Sequence, residues 1–314
     1  MSAAVVILAT VSVSCILAAR SLVAASWPRR SPAAAILLWQ AIGLGWGLAA
    51  VGTLMGVGAT TGGGAVLTGA LDQVQRVVRA GGMPAAGHLA EAIRLACLCA
   101  GIILLTVLCW ILAAATTSVV RARQRQHELL SLLAHGDPKV PGALVVDYPA
   151  AAAYCVPGLR SAIVISAGTL ELLDAAELAA VLAHERAHLR ERHDLVLLPF
   201  IALLRAFAWA GIARQAYHQV GLLVEMHADD RARQHRPARE LATALLRVGA
   251  AGGGGVPSGA LAAAGQEVDG EVAARVVRLL RPAPAISNAA FAFVIALSAT
   301  VVAIPAGLLI LPLH

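Results

Sequence analysis

The chain is 314 residues long, 59% hydrophobic and only 13% charged, with a mean hydropathy of +0.77 and a formal net charge of +6. So few charges exclude an ordinary soluble domain, where about a quarter of residues are charged, and point to an integral membrane protein. The positive balance comes largely from arginines beside apolar stretches, without an aromatic-rich basic patch, so the lipid bilayer is an expected partner and direct nucleic-acid binding is not.

Crossing a hydrocarbon core of ~30 Å takes about 20 helical residues. Charge-free stretches of that length predict transmembrane helices at about 3–19, 33–56, 95–117 and 288–311. No Lys or Arg precedes the first of them, so a retained span is expected rather than a cleaved signal peptide. Of the 42 charged side chains, 34 fall between residues 119 and 286. The expected organisation is therefore three spans within 1–118, a polar domain over 119–286 and a fourth span within 287–314. Arg20, Arg29 and Arg30, then Arg121, Arg123 and Arg125, then Arg275, Arg278 and Arg281 all flank spans on one side, which reads as the cytoplasmic side with both termini outside. Arg76, Arg79 and Arg94 run against that orientation.

Between the first two spans and the polar domain, Gly56, Gly58 and Gly62 to Gly64 read as a low-complexity connector, as does the tract Gly249 to Gly259. Cys15, Cys97, Cys99 and Cys109 lie in apolar stretches and Cys155 in the polar domain; none has an evident disulfide partner, so packing is their expected role.

Within the polar domain, Ala153 to Val156 and Ala162 to Ser166 have strand composition around the turn Pro157-Gly158-Leu159. Such a sheet either offers an edge on which substrate adds as a strand or only supports the helix predicted after it, and both readings stay open. Asp174 and Glu177 then form a capping box, with Leu173 and Leu178 at the positions of a hydrophobic staple. A helix is predicted from Ala175 through His188 to about Arg192. The next apolar segment, Leu195 to Ala213, contains Pro199 and Arg205; it is expected to be buried in the polar domain or to lie in the membrane interface, because a full crossing would put Glu225 on the wrong side of the bilayer from His184 and His188.

The predicted helix carries His184-Glu185-Arg186-Ala187-His188. Histidines four apart share one helix face and can hold one Zn²⁺, and the glutamate beside the first reaches a metal-bound water as general base. The motif alone arises by chance in about one chain in a hundred of this composition, so its context matters. A catalytic zinc site needs a third protein ligand and an open position for water. Glu225, in Glu225-Met226-His227-Ala228-Asp229, is the candidate, and Asp229, one turn on, can accept a hydrogen bond from a ligating histidine ring. His193, His218, His227 and His235 are read as surface or helix-terminus histidines, with oxyanion stabilisation or metal ligation as the alternative. Arg231 is read as exposed.

The Pro-Gly-Leu turn, the Ile-Val-Ile-Ser strand, Val-Leu-Ala-His-Glu-Arg-Ala-His and the later Glu-Met-His-Ala-Asp together resemble the BlaR/MecR-type membrane metallopeptidases, the antirepressor family, and more distantly the CAAX-prenyl-protease and HtpX group. The specific part of the resemblance runs from about residue 145 to 232. It implies an α-helical membrane protein with four transmembrane helices and an inserted α+β zincin-like cytoplasmic metalloprotease domain. It also implies one zinc ion on His184, His188 and Glu225, with Glu185 as base. The implied substrate is a cytoplasmic protein, such as a DNA-binding transcriptional repressor cut in an envelope or antibiotic response. Membrane-protein quality control and non-catalytic signal transduction are the alternatives, and a homo-oligomer is compatible with all three. Two departures stand out: no penicillin-binding sensor domain is expected after the fourth span, and His193-Asp194 occupies the place where relatives carry Asp directly after the basic run, which leaves the role of Asp194 open.

Overall fold

The computed structural model describes residues 2–59, 65–79, 89–158, 161–251 and 265–311. Its elements in chain order are α1 (Ala3–Ala24), a 3-10 turn (Trp27–Arg30), α2 (Pro32–Gly58), α3 (Val66–Arg79), α4 (Leu89–Leu133), β1 (Ala134–Gly136), β2 (Leu144–Val146), β3 (Ala153–Val156), β4 (Ala162–Ser166), α5 (Ala167–Leu172), α6 (Ala175–Arg190), α7 (His193–Ala206), α8 (Gly211–Ala232), α9 (Ala238–Ala250), α10 (Gly265–Leu280) and α11 (Asn288–Ile310). They fall into two compact units, one of residues 1–114, 199–219 and 286–314, the other of 115–198 and 220–285.

Among the described residues, α1, α2, α4 and α11 are long and apolar enough to cross a membrane by length and composition. In the first unit, α2 is the most buried of the four and packs on both α1 and α11. Glycines permit the approach. A Cβ on Gly45 would lie 2.7 Å from the Val301 carbonyl oxygen, and one on Gly58 would lie 2.6 Å from the Leu98 Cβ, so only hydrogen fits at either place. Close backbone approach of this kind is how apolar helices gain contact where no hydrophobic force drives them together.

The elements extend beyond the apolar stretches that announced them. The expected span at 95–117 is part of the 45-residue α4, because its polar continuation, Arg121 to Leu133, is rich in helix-forming Arg, Gln, Glu and Leu. Of the stretch read as a connector, Gly56 and Gly58 belong to α2 and Gly62 to Gly64 lie outside the described residues; the amphipathic α3, Val66–Arg79, follows it. Residues 252–259 of the second glycine tract and Leu159 of the expected turn also lie outside them.

The second unit is built on a four-stranded sheet of order β1-β2-β4-β3, with β2 and β4 parallel and the other two pairs antiparallel. Two of its strands are the expected ones, paired from Ala153 opposite Ile165 to Val156 opposite Ala162. The period-2 alternation of β4 serves both faces. Ile163 and Ile165 join Leu173, Leu178 and Leu182 in one apolar cluster, and Val164 joins Leu130 and Val156 in another. The sheet therefore fixes α6 through Leu178 and Leu182. The helix starts at the expected residue: Asp174 accepts from the Ala176 and Glu177 amides, the Glu177 carboxylate accepts from the Asp174 amide, and both staple leucines are buried. Its end differs from expectation. α6 stops at Arg190 rather than Arg192, since Arg192 takes a left-handed backbone (φ 51) that turns the chain into α7.

Candidate metal centre

On α6, His184 and His188 face the same way, and α8 brings Glu225 to them. His184 Nε2 and His188 Nε2 are 3.0 Å apart, His184 Nε2 is 3.3 Å from Glu225 Oε2, and His188 Nε2 is 3.5 Å from Glu225 Oε1. A tetrahedral zinc ion with bonds of about 2.0–2.1 Å sets its ligand atoms roughly 3.3 Å apart, so the two nitrogens and one carboxylate fit such an ion as they stand. Among the described residues, this triad is the group of His, Cys, Asp and Glu side chains whose ligand atoms could hold a metal ion.

Each histidine is held at its other nitrogen. His184 Nδ1 lies 2.9 Å from Asp229 Oδ1, and His188 Nδ1 lies 3.0 Å from His193 Nδ1. Both rings thus turn Nε2 toward the shared centre, which is the arrangement that outer-shell partners impose on ligating histidines. Asp229, 1% exposed, is itself gripped by Arg275, whose Nε and Nη2 donate to its two oxygens at 2.9 and 2.7 Å. Arg275 Nη1 reaches Glu225 Oε2 at 3.0 Å, so one guanidinium braces both carboxylates.

The electrostatics favour a cation at the centre. Burial disfavours a charged His184, yet hydrogen bonds to Asp229 and Glu225 raise it to about 10. Burial also disfavours ionised Glu225 and Asp229. Even so, His188, Arg275 and hydrogen bonds from both histidines hold Glu225 well below the usual carboxylate range, and Arg275 and His184 hold Asp229 at about 2. The carboxylates outnumber the fixed positive charge, and a proton on His184 makes up part of the difference. A divalent cation at Nε2 would replace that proton. Burial, together with His188 and His227, pushes His193 down to about 3, so its ring is neutral and its Nδ1 can accept from His188.

Glu185 is nearly buried on the same helix, beside β3. β3 is an edge of the sheet and carries Cys155, close enough to Glu185 for that carboxylate to act on the thiol. Burial first, then Glu185 and Glu225, pushes the Cys155 thiol far up, so it stays protonated.

Residues 119–227 match the model of Peptidase family M48. The matched segment covers about a third of the chain and includes the sheet, all of α6, and Glu225 near its end. M48 is a membrane zinc metallopeptidase family, so the match supports a metallopeptidase domain in a chain with several long apolar helices; the BlaR/MecR subgroup is not part of that match. No curated protein and no solved structure matches the chain. Asp229 and Arg275 lie beyond the M48 segment.

The remaining histidines and Arg231 separate clearly. His193 is the first residue of α7, as one of its two readings had it, but it is not on the surface: it is 3% exposed and bonded to His188, the turn at Arg192 folding it back under α6. His227 is half-buried, 3.9 Å from Glu191, and His235 is exposed. Arg231 is exposed and pairs with Glu191 at 2.7 Å. Asp194 pairs with Arg123 at 2.7 Å. Arg275 was legible only as a flanking charge, yet it shares the i, i+3, i+4, i+7 stripe of α10 with Val272, Val276 and Leu279. An arginine on an apolar stripe calls for a buried carboxylate, and that was its signal.

Proposed function

We propose that this protein is a membrane-bound zinc endopeptidase that cuts a cytoplasmic protein. The observation that carries the reading is the pair of histidine nitrogens 3.0 Å apart, each within 3.5 Å of an oxygen of the Glu225 carboxylate, with Glu185 next to the first histidine in the chain. His184, His188 and Glu225 would hold the metal, with Asp229 orienting His184. When bound, zinc polarises the scissile carbonyl and acidifies a water. Glu185 takes the proton of the attacking water on its carboxylate and passes it to the leaving amine. β3, an edge strand packed against α6, offers backbone groups to an extended substrate, which gives affinity without strict sequence choice. The arginines at the ends of the apolar helices support a cytoplasmic catalytic domain with both termini outside. The resemblance to antirepressor peptidases supports a DNA-binding repressor as substrate, cut in an envelope or antibiotic response.

The test compares protein N-termini in cells expressing wild type or Glu185→Ala under antibiotic envelope stress. New termini in a soluble DNA-binding repressor, absent with the variant, are expected. Cleavage confined to damaged membrane proteins would replace the regulatory reading with quality control, and identical termini in both strains would contradict a protease.

A further inference from the structure

Residues 199–219 belong with the apolar helices, and their contacts there set their depth. Phe200, 2% exposed, meets Trp39 edge-on with ring centroids 6.5 Å apart. Leu203 Cδ1 lies 3.7 Å from where Gly43 would carry a Cβ, and Phe207 meets Trp46 edge-on at 5.4 Å. Each step of three or four along α7 advances a like step along α2, so the two run side by side in the same direction. The chain then turns, with the Ala210 amide donating to the Phe207 carbonyl and the Ala213 amide to the Ala210 carbonyl, and comes back as α8.

The neighbouring helices show where the charged boundary lies. A Cβ on Gly52 would sit 3.1 Å from Leu8 Cδ1, so in the antiparallel α1–α2 pair Arg20 comes level with about residue 40. The contact of Gly58 with Leu98 brings the same level on α4 to about residue 116, just before Arg121. Phe200 therefore stands at the boundary beside Trp39. Phe207 beside Trp46 is roughly 10 Å further in at 1.5 Å per residue. Amphipathic segments that rest in a membrane interface bury themselves to about 5–10 Å. The tip has the side chains for it. Trp209 is 84% exposed and touches Phe207 edge-on at 6.2 Å, while Arg205 and Arg214 are exposed on either side. Aromatic rings at headgroup depth and arginines that snorkel outward are what such a layer holds.

We propose that the α7–α8 hairpin is a membrane wedge that enters from the arginine-bearing face and does not cross. Its tip, residues 207–211, lies among the upper acyl chains, with Trp209 in lipid and Arg205 and Arg214 reaching anionic headgroups. Along the chain this wedge is the link between His188 and Glu225, so lipid holds the segment that separates the second and third metal donors. The proposal rests on the membrane reading of α1, α2, α4 and α11.

Full-length protein in phosphatidylcholine–phosphatidylglycerol vesicles tests it through tryptophan fluorescence, with acyl chains brominated near the glycerol end. The difference between wild type and Trp209→Phe isolates Trp209. The difference between wild type and Trp110→Phe isolates a reference on α4, 73% exposed and at a similar level. Both are expected to lose about half their emission to bromolipid and little to aqueous iodide. Quenching of Trp209 by iodide alone would overturn the wedge, and protection from both quenchers would overturn it in favour of a covering protein, such as a second copy of this chain. If Trp110 also escapes bromolipid, the membrane reading itself fails.

Discussion

Asp229 Oδ1 stands 2.9 Å from His184 Nδ1, on the ring edge opposite the Nε2 that faces His188 and Glu225. The carboxylate thereby decides which nitrogen of His184 is free for a metal. Asp229→Ala releases the ring and leaves Arg275 without its bidentate partner. Metal affinity is expected to fall about 10–100-fold, measured by competition with a chromophoric chelator. An unchanged affinity would remove Asp229 from the centre.

His193 plays the matching part for His188. His193→Ala removes the acceptor at His188 Nδ1, and a drop in metal affinity of about 10-fold or more is expected, whereas His193→Asn, which keeps an acceptor, recovers part of it. Chelator competition and the visible spectrum of the cobalt-substituted protein report the two variants independently of catalysis.

Cys155 supplies a pH test. Its thiol is raised by burial and by the adjacent carboxylates, and only thiolate reacts with alkylating agents, so the reactive form is scarce at every pH below that raised value. Native protein at pH 8 should therefore leave Cys155 unmodified by iodoacetamide in peptide mass spectra, and denatured protein should label it fully. Glu185→Gln removes one of the raising charges and is expected to speed labelling. Rapid native labelling would contradict a thiol raised by burial and by Glu185.

Gly45 tests the packing of the apolar helices. A leucine at this place would collide with the Val301 carbonyl, which lies 2.7 Å from the first carbon of any side chain. Overpacking costs about 1–3 kcal/mol, so Gly45→Leu should lower the thermal midpoint in detergent, while Gly47→Ala, with its nearest neighbour at 4.0 Å, should not.

The parts that sequence announced are those governed by local or periodic signals. The capping box at Asp174 and Glu177 satisfies helix-end amides within three residues, so the start of α6 was readable to the residue. His184, Glu185 and His188 follow from one helix face. Charge-free length announced the apolar helices, but not where α4 ends, because a helix continues through Arg121 to Leu133 on helix-forming residues and on the packing of Leu130 against the sheet. Arg275 and His193 were missed for another reason. Their roles depend on partners brought by folding, 46 residues away for Asp229 and around the Arg192 turn for His188. The strands β1 and β2 are three residues each, too short for alternation to register.

The most direct measurement is zinc content and peptide-bond cleavage, made side by side on purified wild type and Glu185→Gln. A peptide library of broad sequence serves as substrate, read by mass spectrometry. The account predicts one zinc per chain in both proteins, and a loss of cleavage of about 10²- to 10⁴-fold in the variant, since the ligands remain and the proton acceptor is gone. Cleavage by Glu185→Gln at the wild-type rate, or full activity in wild type stripped of metal, would contradict it.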